Sequence, residues 1–511
     1  MSCFRKPNGV YHLCSGLSLF IAGTGAVVAL GPSQAELDHS AAATESWLMT
    51  NKSYDGHRYV ALDQINTKNV GDLRETCAYD SHVAAPAQSA PVLYEHRIFL
   101  SIGQTTVAID AASCKEIWRH EWVLKDKALS IPNRGVAIKN GRVLRGTSDG
   151  FLIALNMDDG KLLWERQITS ARDSHYLSMP AMIVGDAIIY GTAGADFGGR
   201  GWIGAFSLED GHEFWRFNAL PSLDDPEAGS WGTKEALEHG GGSFWTPVAV
   251  DRAKDLLFVP IGNPAPDFFG DIRKGANLYT NALAILDLKT GKPLWAKQHE
   301  IVVVGGKDGR VRLVDRETQD VLADLAVSHQ ENTEAPVTVE GTHICPGLLG
   351  GQEWSSSAYD PKRKIVISPM VEWCGTAHRD ASAPTFQSGV HYYGGKIDQD
   401  PIDQARGLLA AIDVSSGELR WKTKVAAPML ANVTVTAGDV IFAGDLKGTL
   451  YAINAEDGSV LLRWPLGSSA GGGMITYALD SKQYVAAVSG PVSAFFPGGA
   501  GTTRLSLLSL P

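Results

Sequence analysis

The chain has 511 residues, 44% of them hydrophobic, and its 56 acidic against 45 basic side chains give a formal net charge of −11. That hydrophobic share excludes an extended disordered chain, and the acidic balance disfavours binding to a phosphate backbone, so nucleic acid is not an expected partner. Fifty-five glycines and 13 tryptophans fit many short strands joined by tight turns.

The first 35 residues form a compositional unit of their own. Arg5 and Lys6 precede an apolar run from Leu13 to Leu30, and Ser33-Gln34-Ala35 offers a small-residue cleavage site. This is the pattern of a cleaved signal peptide over 1–35, with an uncleaved anchor as the alternative because the run is near the spanning minimum. No other stretch is long enough to span a bilayer, so the processed chain is expected to have no membrane span. Cleavage removes Cys3 and Cys14 and leaves Cys77, Cys114, Cys345 and Cys374, an even number suited to disulfides in an oxidising compartment. Cys77–Cys114 and Cys345–Cys374 are the nearest pairings in sequence, and all three connectivities stay open.

Seven copies of one phrase follow: an apolar strand, an acidic or small polar turn, then a tryptophan or its stand-in. They are AIDAASCKEIW (108–118), ALNMDDGKLLW (154–164), AFSLEDGHEFW (205–215), AILDLKTGKPLW (284–295), RLVDRETQDVL (312–322), AAIDVSSGELRW (410–421) and YAINAEDGSVLLRW (451–464). Period-2 alternation with Gly or Asp-Gly turns makes each unit a run of antiparallel strands, and such copies close into a β-propeller. A last unit without tryptophan, from 474–490 and 504–510, brings the count to eight blades; a strand from the N-terminal region is expected to close the ring. The fold class is therefore all-β, an eight-bladed propeller of four-stranded blades, filling residues 36–511 as one domain. A short helix is expected near Thr233–His239. Asp287 and Asp315, equivalent points of successive phrases, are only 28 residues apart. A four-stranded blade takes about 40 residues, so the fifth blade is truncated between Trp295 and Ile301.

Several blocks then resemble one family, the PQQ-dependent (quinoprotein) alcohol dehydrogenases. TNKSYDGHRYVALDQINTKNVGDL (50–73) is similar to its N-terminal signature, and GTAGADFGGRGWIGAFSLEDG (191–211), GGGSFWTPVAVD (240–251), IGNPAP (261–266), GGKDGRVRLVDRET (305–318), CPGLLGGQEWSSSAYDP (345–361) and MITYALDSKQYVAAVSG (474–490) resemble internal blocks in the family's order. The resemblance implies an eight-bladed periplasmic oxidoreductase that uses pyrroloquinoline quinone (PQQ) and Ca²⁺. It would oxidise an alcohol or sugar-type hydroxyl and pass electrons to a separate acceptor such as a soluble cytochrome c or a membrane quinone. It further implies Trp245 as the floor beneath the flat quinone, Arg134 and Lys307 as cationic contacts, Thr147 and Gln88 as polar contacts, and Asp196 and Asn263 as the metal ligands. A carboxylate with an amide oxygen suits a hard cation.

Four departures from the family pattern stand out. The neighbouring-cysteine pair expected before the NRG block is replaced near Ala128 and Leu129. Glu353 occupies a position often held by Asn, which puts a negative charge near an anionic cofactor. No Cys-x-x-Cys-His is present for covalent haem. The segment that carries the presumed catalytic aspartate is missing where the text runs WAKQHEIVVVGGKDG; His299 or Glu300 could be recruited as base, and no catalytic residue is assigned. Two other readings follow: a degenerate propeller that binds PQQ without turnover, and a non-enzymatic scaffold of the cell envelope.

Overall fold

In the computed structural model, which describes residues 31–294, 301–315, 318 and 320–511, the repeated phrase becomes a ring. Blade 1 pairs Val92–Tyr94, Arg97–Ile102, Thr105–Asp110 and Glu116–Glu121 in sequence order, each antiparallel to the next. Blade 2 (Ala137–Lys139 to Leu162–Gln167), blade 3 (Met182–Val184 to Glu213–Asn218), blade 6 (Ala358–Asp360 to Leu419–Val425) and blade 7 (Thr434–Thr436 to Val460–Pro465) repeat that order. The middle strands are apolar on both faces because a blade lies against each, whereas the outermost strand alternates toward solvent.

The turn chemistry explains the phrase. Its central residue accepts a hydrogen bond from a backbone N–H two or three residues on: Asp110 Oδ1 from Ser113 at 2.7 Å, Asp287 Oδ1 from Thr290 at 2.8 Å, Asn454 Oδ1 from Glu456 at 3.0 Å. Only a short polar side chain can do this. The glycine that follows has positive φ, 70° at Gly160, and it also meets the tryptophan of the preceding blade. A Cβ on Gly160 would stand 2.5 Å from Trp118 Cε3, and Trp118 Nε1 donates to Met157 O at 2.9 Å. Trp164 with Gly211 and Leu208 O, Trp215 with Gly291 and Leu288 O, and Trp421 with Gly458 and Ala455 O repeat the latch. Blade 5 has no tryptophan, and Gly417 of blade 6 faces Ala323 there instead.

Blade 8 joins Met474–Leu479, Lys482–Ser489 and Arg504–Ser509 to the early strand Arg74–Asp80, which closes the ring as the sequence predicts. Tyr59–Val60 adds a fifth, parallel strand to blade 7. Blades 4 (Ala249–Asp251, Leu256–Ile261, Ala282–Asp287) and 5 (Ile301–Gly305, Arg310–Asp315, Val321–Ala326) have three strands each among the described residues. Ile301–Gly305 pairs with the phrase strand Arg310–Asp315 as Arg97–Ile102 does in blade 1, so among the described residues blade 5 lacks the innermost strand. The 295–300 segment, with His299 and Glu300, lies outside the described residues.

A small ninth sheet of Thr342–Ile344, Gly375–Arg379 and Gly395–Gln399 is built from two insertions and was not expected from the repeat. Both nearest-neighbour disulfides, Cys77–Cys114 and Cys345–Cys374, are present. The expected helix is Lys234–Glu238, capped by Thr233 Oγ1. The expected cleavage site falls at a second short helix, Gln34–Asp38, whose Gln34 accepts from Gly185 N at 2.8 Å; residues 1–30 lie outside the description. Among the described residues no helix is long and apolar enough to cross a membrane.

Candidate functional site

In antiparallel blades, the loop before the first strand and the loop between the second and third strands emerge at the same end of the ring. Gln88, Arg134, Trp245 and Glu353 sit on loops of the first kind, and Asp196, Asn263 and Lys307 on the second. All seven line one cavity of about 2450 Å³. Ala128 and Leu129, standing where the cysteine pair is missing, line it too.

Trp245 is half-buried, and the Arg134 guanidinium lies 4.8 Å from its ring centroid and 5.5 Å from that of Trp354. Arg134 Nη1 donates to Ser178 Oγ at 2.8 Å and to Trp245 O at 3.3 Å, while its Nε has no partner among the described residues. Burial lowers this guanidinium to about 10, which still leaves it charged at neutral pH. Gln88 is 3% exposed; its Nε2 donates to Val492 O at 2.9 Å and its Oε1 has no partner among the described residues. It therefore offers the cavity a buried acceptor.

Asp196 rides on a one-turn 3-10 helix, Ala195–Phe197, flanked by Gly194 at φ 137° and Gly198 at φ 71°. A Cβ on Gly194 would lie 2.0 Å from Ser174 O, so this turn tolerates no side chain there. The three glycines before Trp245 serve a similar purpose. A Cβ on Gly241 would meet Asn263 O at 2.9 Å and the Ala195 Cβ at 3.2 Å, so the bare backbone lets the Asp196 and Asn263 turns close on one another. These glycines make room for chain. Gly242 N donates to Asn263 O at 3.0 Å and Gly262 N to Ser243 O at 2.9 Å, fixing that turn.

Lys307 Nζ is 2.7 Å from Glu353 Oε1, and the Glu353 side chain is only 4% exposed. The unexpected charge at Glu353 is thus paired, and the two turns are tied by Gln352 N donating to Gly306 O. Gly351 is required, since a Cβ there would stand 2.2 Å from Lys307 O.

Thr147 is the exception among the expected contacts. It does not line the cavity: its Oγ1 donates to Asp149 Oδ1 at 2.6 Å and accepts from Phe151 N, as a structural turn residue. Asp267, which the sequence reading missed, lines the cavity beside Asn263, whose Nδ2 donates to Asp267 Oδ1 at 3.1 Å. It stands one residue beyond the IGNPAP block. Burial raises the Asp196 carboxyl, and burial together with the Asp196 charge raises Asp267 well above the ordinary carboxylate range; Lys307 opposes both shifts.

Residues 47–302 match the family described as glucose/ethanol/alcohol dehydrogenase, beta-propeller domain (PQQ). Residues 350–497 match the family described as outer membrane protein assembly factor BamB. The chain is 26% identical over 506 residues to quinoprotein alcohol dehydrogenase PedH of Pseudomonas putida, covering 85% of this chain and 84% of the relative. It is 27% identical over 524 residues to a lanthanide-dependent methanol dehydrogenase of Methylacidiphilum fumariolicum, covering 87% and 84%. The ring superposes on quinohemoprotein alcohol dehydrogenase ADHIIG of P. putida with a TM-score of 0.85 at 21% identity, covering 94% of this chain and 83% of that one. A europium-containing methanol dehydrogenase gives 0.82 at 23% identity, covering 93% and 100%. Fold and cavity together define an eight-bladed propeller with its site at the ring's centre. The chain belongs to the PQQ-dependent (quinoprotein) alcohol dehydrogenase family.

Proposed function

We propose that the chain is a periplasmic, PQQ- and Ca²⁺-dependent oxidoreductase that converts an alcohol to a carbonyl compound and hands electrons to a separate acceptor, a soluble cytochrome c or a membrane quinone. One observation carries this reading: Arg134, Asp196, Trp245, Asn263 and Lys307, from five different loops, meet in a single cavity. A scaffold has no need of such a set.

The residues present suit the quinone. PQQ is flat and anionic, with one ring N–H. The Trp245 face gives a flat apolar floor, and the unpartnered Arg134 Nε and Gln88 Oε1 give a buried donor and a buried acceptor. Asp196 and Asn263 offer hard oxygens for Ca²⁺. When bound, PQQ supplies a carbonyl carbon that accepts hydride from the carbinol carbon. Arg134 would hold a quinone carboxylate, and its bond to Trp245 O couples that grip to the floor. Lys307 contributes less positive charge than its position suggests, because Glu353 already neutralises it.

A second reading, binding without turnover, is favoured by blade 5, which lacks its innermost strand among the described residues. Reconstituting the secreted protein with PQQ and Ca²⁺ separates the two. Stoichiometric quinone binding with alcohol-dependent dye reduction is the expected result; binding without reduction selects the second reading, and no binding removes both.

A further inference from the structure

We infer that the inner edge of blade 5 is a subsite for the tail of the substrate, so that the alcohol oxidised carries an extended apolar chain. This rests on the quinoprotein reading and adds a substrate class to it.

The space is there. A cavity of about 2450 Å³ is more than twice the roughly 1,000 Å³ at the upper end of ordinary small-ligand sites. Part of the excess lies along Ile301–Gly305, which pairs with Arg310–Asp315 on one side and, among the described residues, with no strand on the other. The equivalent residues of blade 1, Ile98, Phe99 and Leu100, are 0% exposed. Val302, Val303 and Val304 are instead half-buried and line the cavity. In blades 1–4, 6 and 7 a three-residue strand occupies this place, which makes the slot about 10 Å long.

Its walls are apolar. Val302 packs with Phe258 and Ile285 on the blade 4 side, and Val303 with Leu313 and Ile412 on the blade 6 side. Phe258 and Pro260 line the cavity, as does Val366, which pairs with Ile412. Arg312, opposite Val304, is held by Asp308 at 2.5 Å. The slot is also continuous with the site. Gly305 ends its strand two residues before Lys307, and Ile261 ends its own two residues before Asn263. Ser355 stands between Glu353 and the inner strand of blade 6. Its buried Oγ has no partner among the described residues, and it lines the cavity, where it can meet a polar group at the head of the chain.

An extended peptide that pairs with the free edge of Ile301–Gly305 is the other occupant of this shape. Three residues give too few ladder bonds to offset the cost of association. A tail attached to a hydroxyl already held at the site avoids that cost. Each methylene it buries should tighten binding about fourfold.

The test compares 1-alkanols from ethanol to octanol on the secreted full-length chain, with and without PQQ and Ca²⁺. Tryptophan quenching reads binding, and dye reduction by the reconstituted protein reads kcat/KM. Octanol is expected to bind at least about tenfold more tightly than ethanol. Val304→Trp, which fills the slot, should cut that ratio at least about fivefold. If it does not fold, Val304→Thr, which sets a hydroxyl on the same wall, should cut it about threefold. A ratio below tenfold in the unaltered chain, or one that the folded variant leaves within twofold, would overturn the subsite. So would tighter binding of the blade 6 peptide SSSAYD than of octanol. Binding that rises with chain length and falls in the variant, without dye reduction by any alcohol, would keep the subsite while removing turnover, so the two readings fail separately.

Discussion

Blades 1–3 and blades 4–6 face each other across one cavity, yet they are built differently. The first three are complete, and tryptophan latches tie blade 1 to 2, 2 to 3 and 3 to 4. Their contribution to the cavity is mostly a fixed set of donors and acceptors around Arg134 and Gln88. Blades 4 and 5 have three described strands each, the seam from blade 5 to 6 rests on Ala323 against Gly417, and this side carries Asp267, Lys307 and Glu353. The first half holds position through its latches, whereas the second brings acids and their counter-charge to the cavity.

Breaking the rigid half should have the largest effect. Trp118 is 7% exposed, fills a site that only Gly160 opposite permits, and donates a buried hydrogen bond. Trp118→Ala is expected to cost about 3–5 kcal/mol, read as a lower denaturant midpoint. Acid should strike the same half. Burial lowers His175 to about 4, its Nδ1 and Nε2 lying 3.0 Å from Thr169 Oγ1 and Arg200 O. A histidine whose folded pKa is depressed gives stability that is complete above the unfolded value of about 6.5 and is lost as pH falls toward 4. The loss should reach on the order of 3 kcal/mol by pH 4. Melting temperatures across that window should fall less steeply for His175→Gln than for the unaltered chain.

Two smaller effects sharpen the charged half. Glu353→Gln removes a buried charge facing the proposed quinone while keeping an acceptor for Lys307. Tryptophan quenching should show about tenfold tighter PQQ binding, roughly 1.4 kcal/mol. Weaker binding would mean that Glu353 is needed to aim Lys307. At the weak seam, Ala323→Gly should cost only about 1 kcal/mol by the same denaturant assay, against the much larger cost at Trp118.

Most of the ring was legible because its information is local. A short polar acceptor, a glycine at positive φ and a tryptophan recur within a dozen residues, and each is demanded by the turn it occupies. The ninth sheet was not legible, since Thr342–Ile344 finds its partner across a long separation at Gly375–Arg379, with no repeat to announce it. The site divides likewise. Asp196, Asn263, Trp245 and Lys307 lie in blocks with family likeness, and the structure gathers them. Thr147 was implied by the same resemblance, yet its hydroxyl is consumed by its own turn. Asp267 gains meaning only from its spatial neighbours, and Glu353 looked like an uncompensated charge until Lys307 was found beside it.

The closure of blade 8 carries a consequence for the order of assembly. Thr76 and Ser509, whose hydroxyls are 2.9 Å apart, are separated by 433 positions in the chain. The strand that completes the ring is therefore synthesised long after the strand it must meet. Earlier blades can condense on their neighbours as they emerge, but the circle, and with it the enclosed cavity, forms only after Arg504–Ser509 is available. Loop closure over such a span is slow relative to local hairpin formation. Ligand capture at the centre is then a late event of maturation, downstream of every blade-to-blade contact.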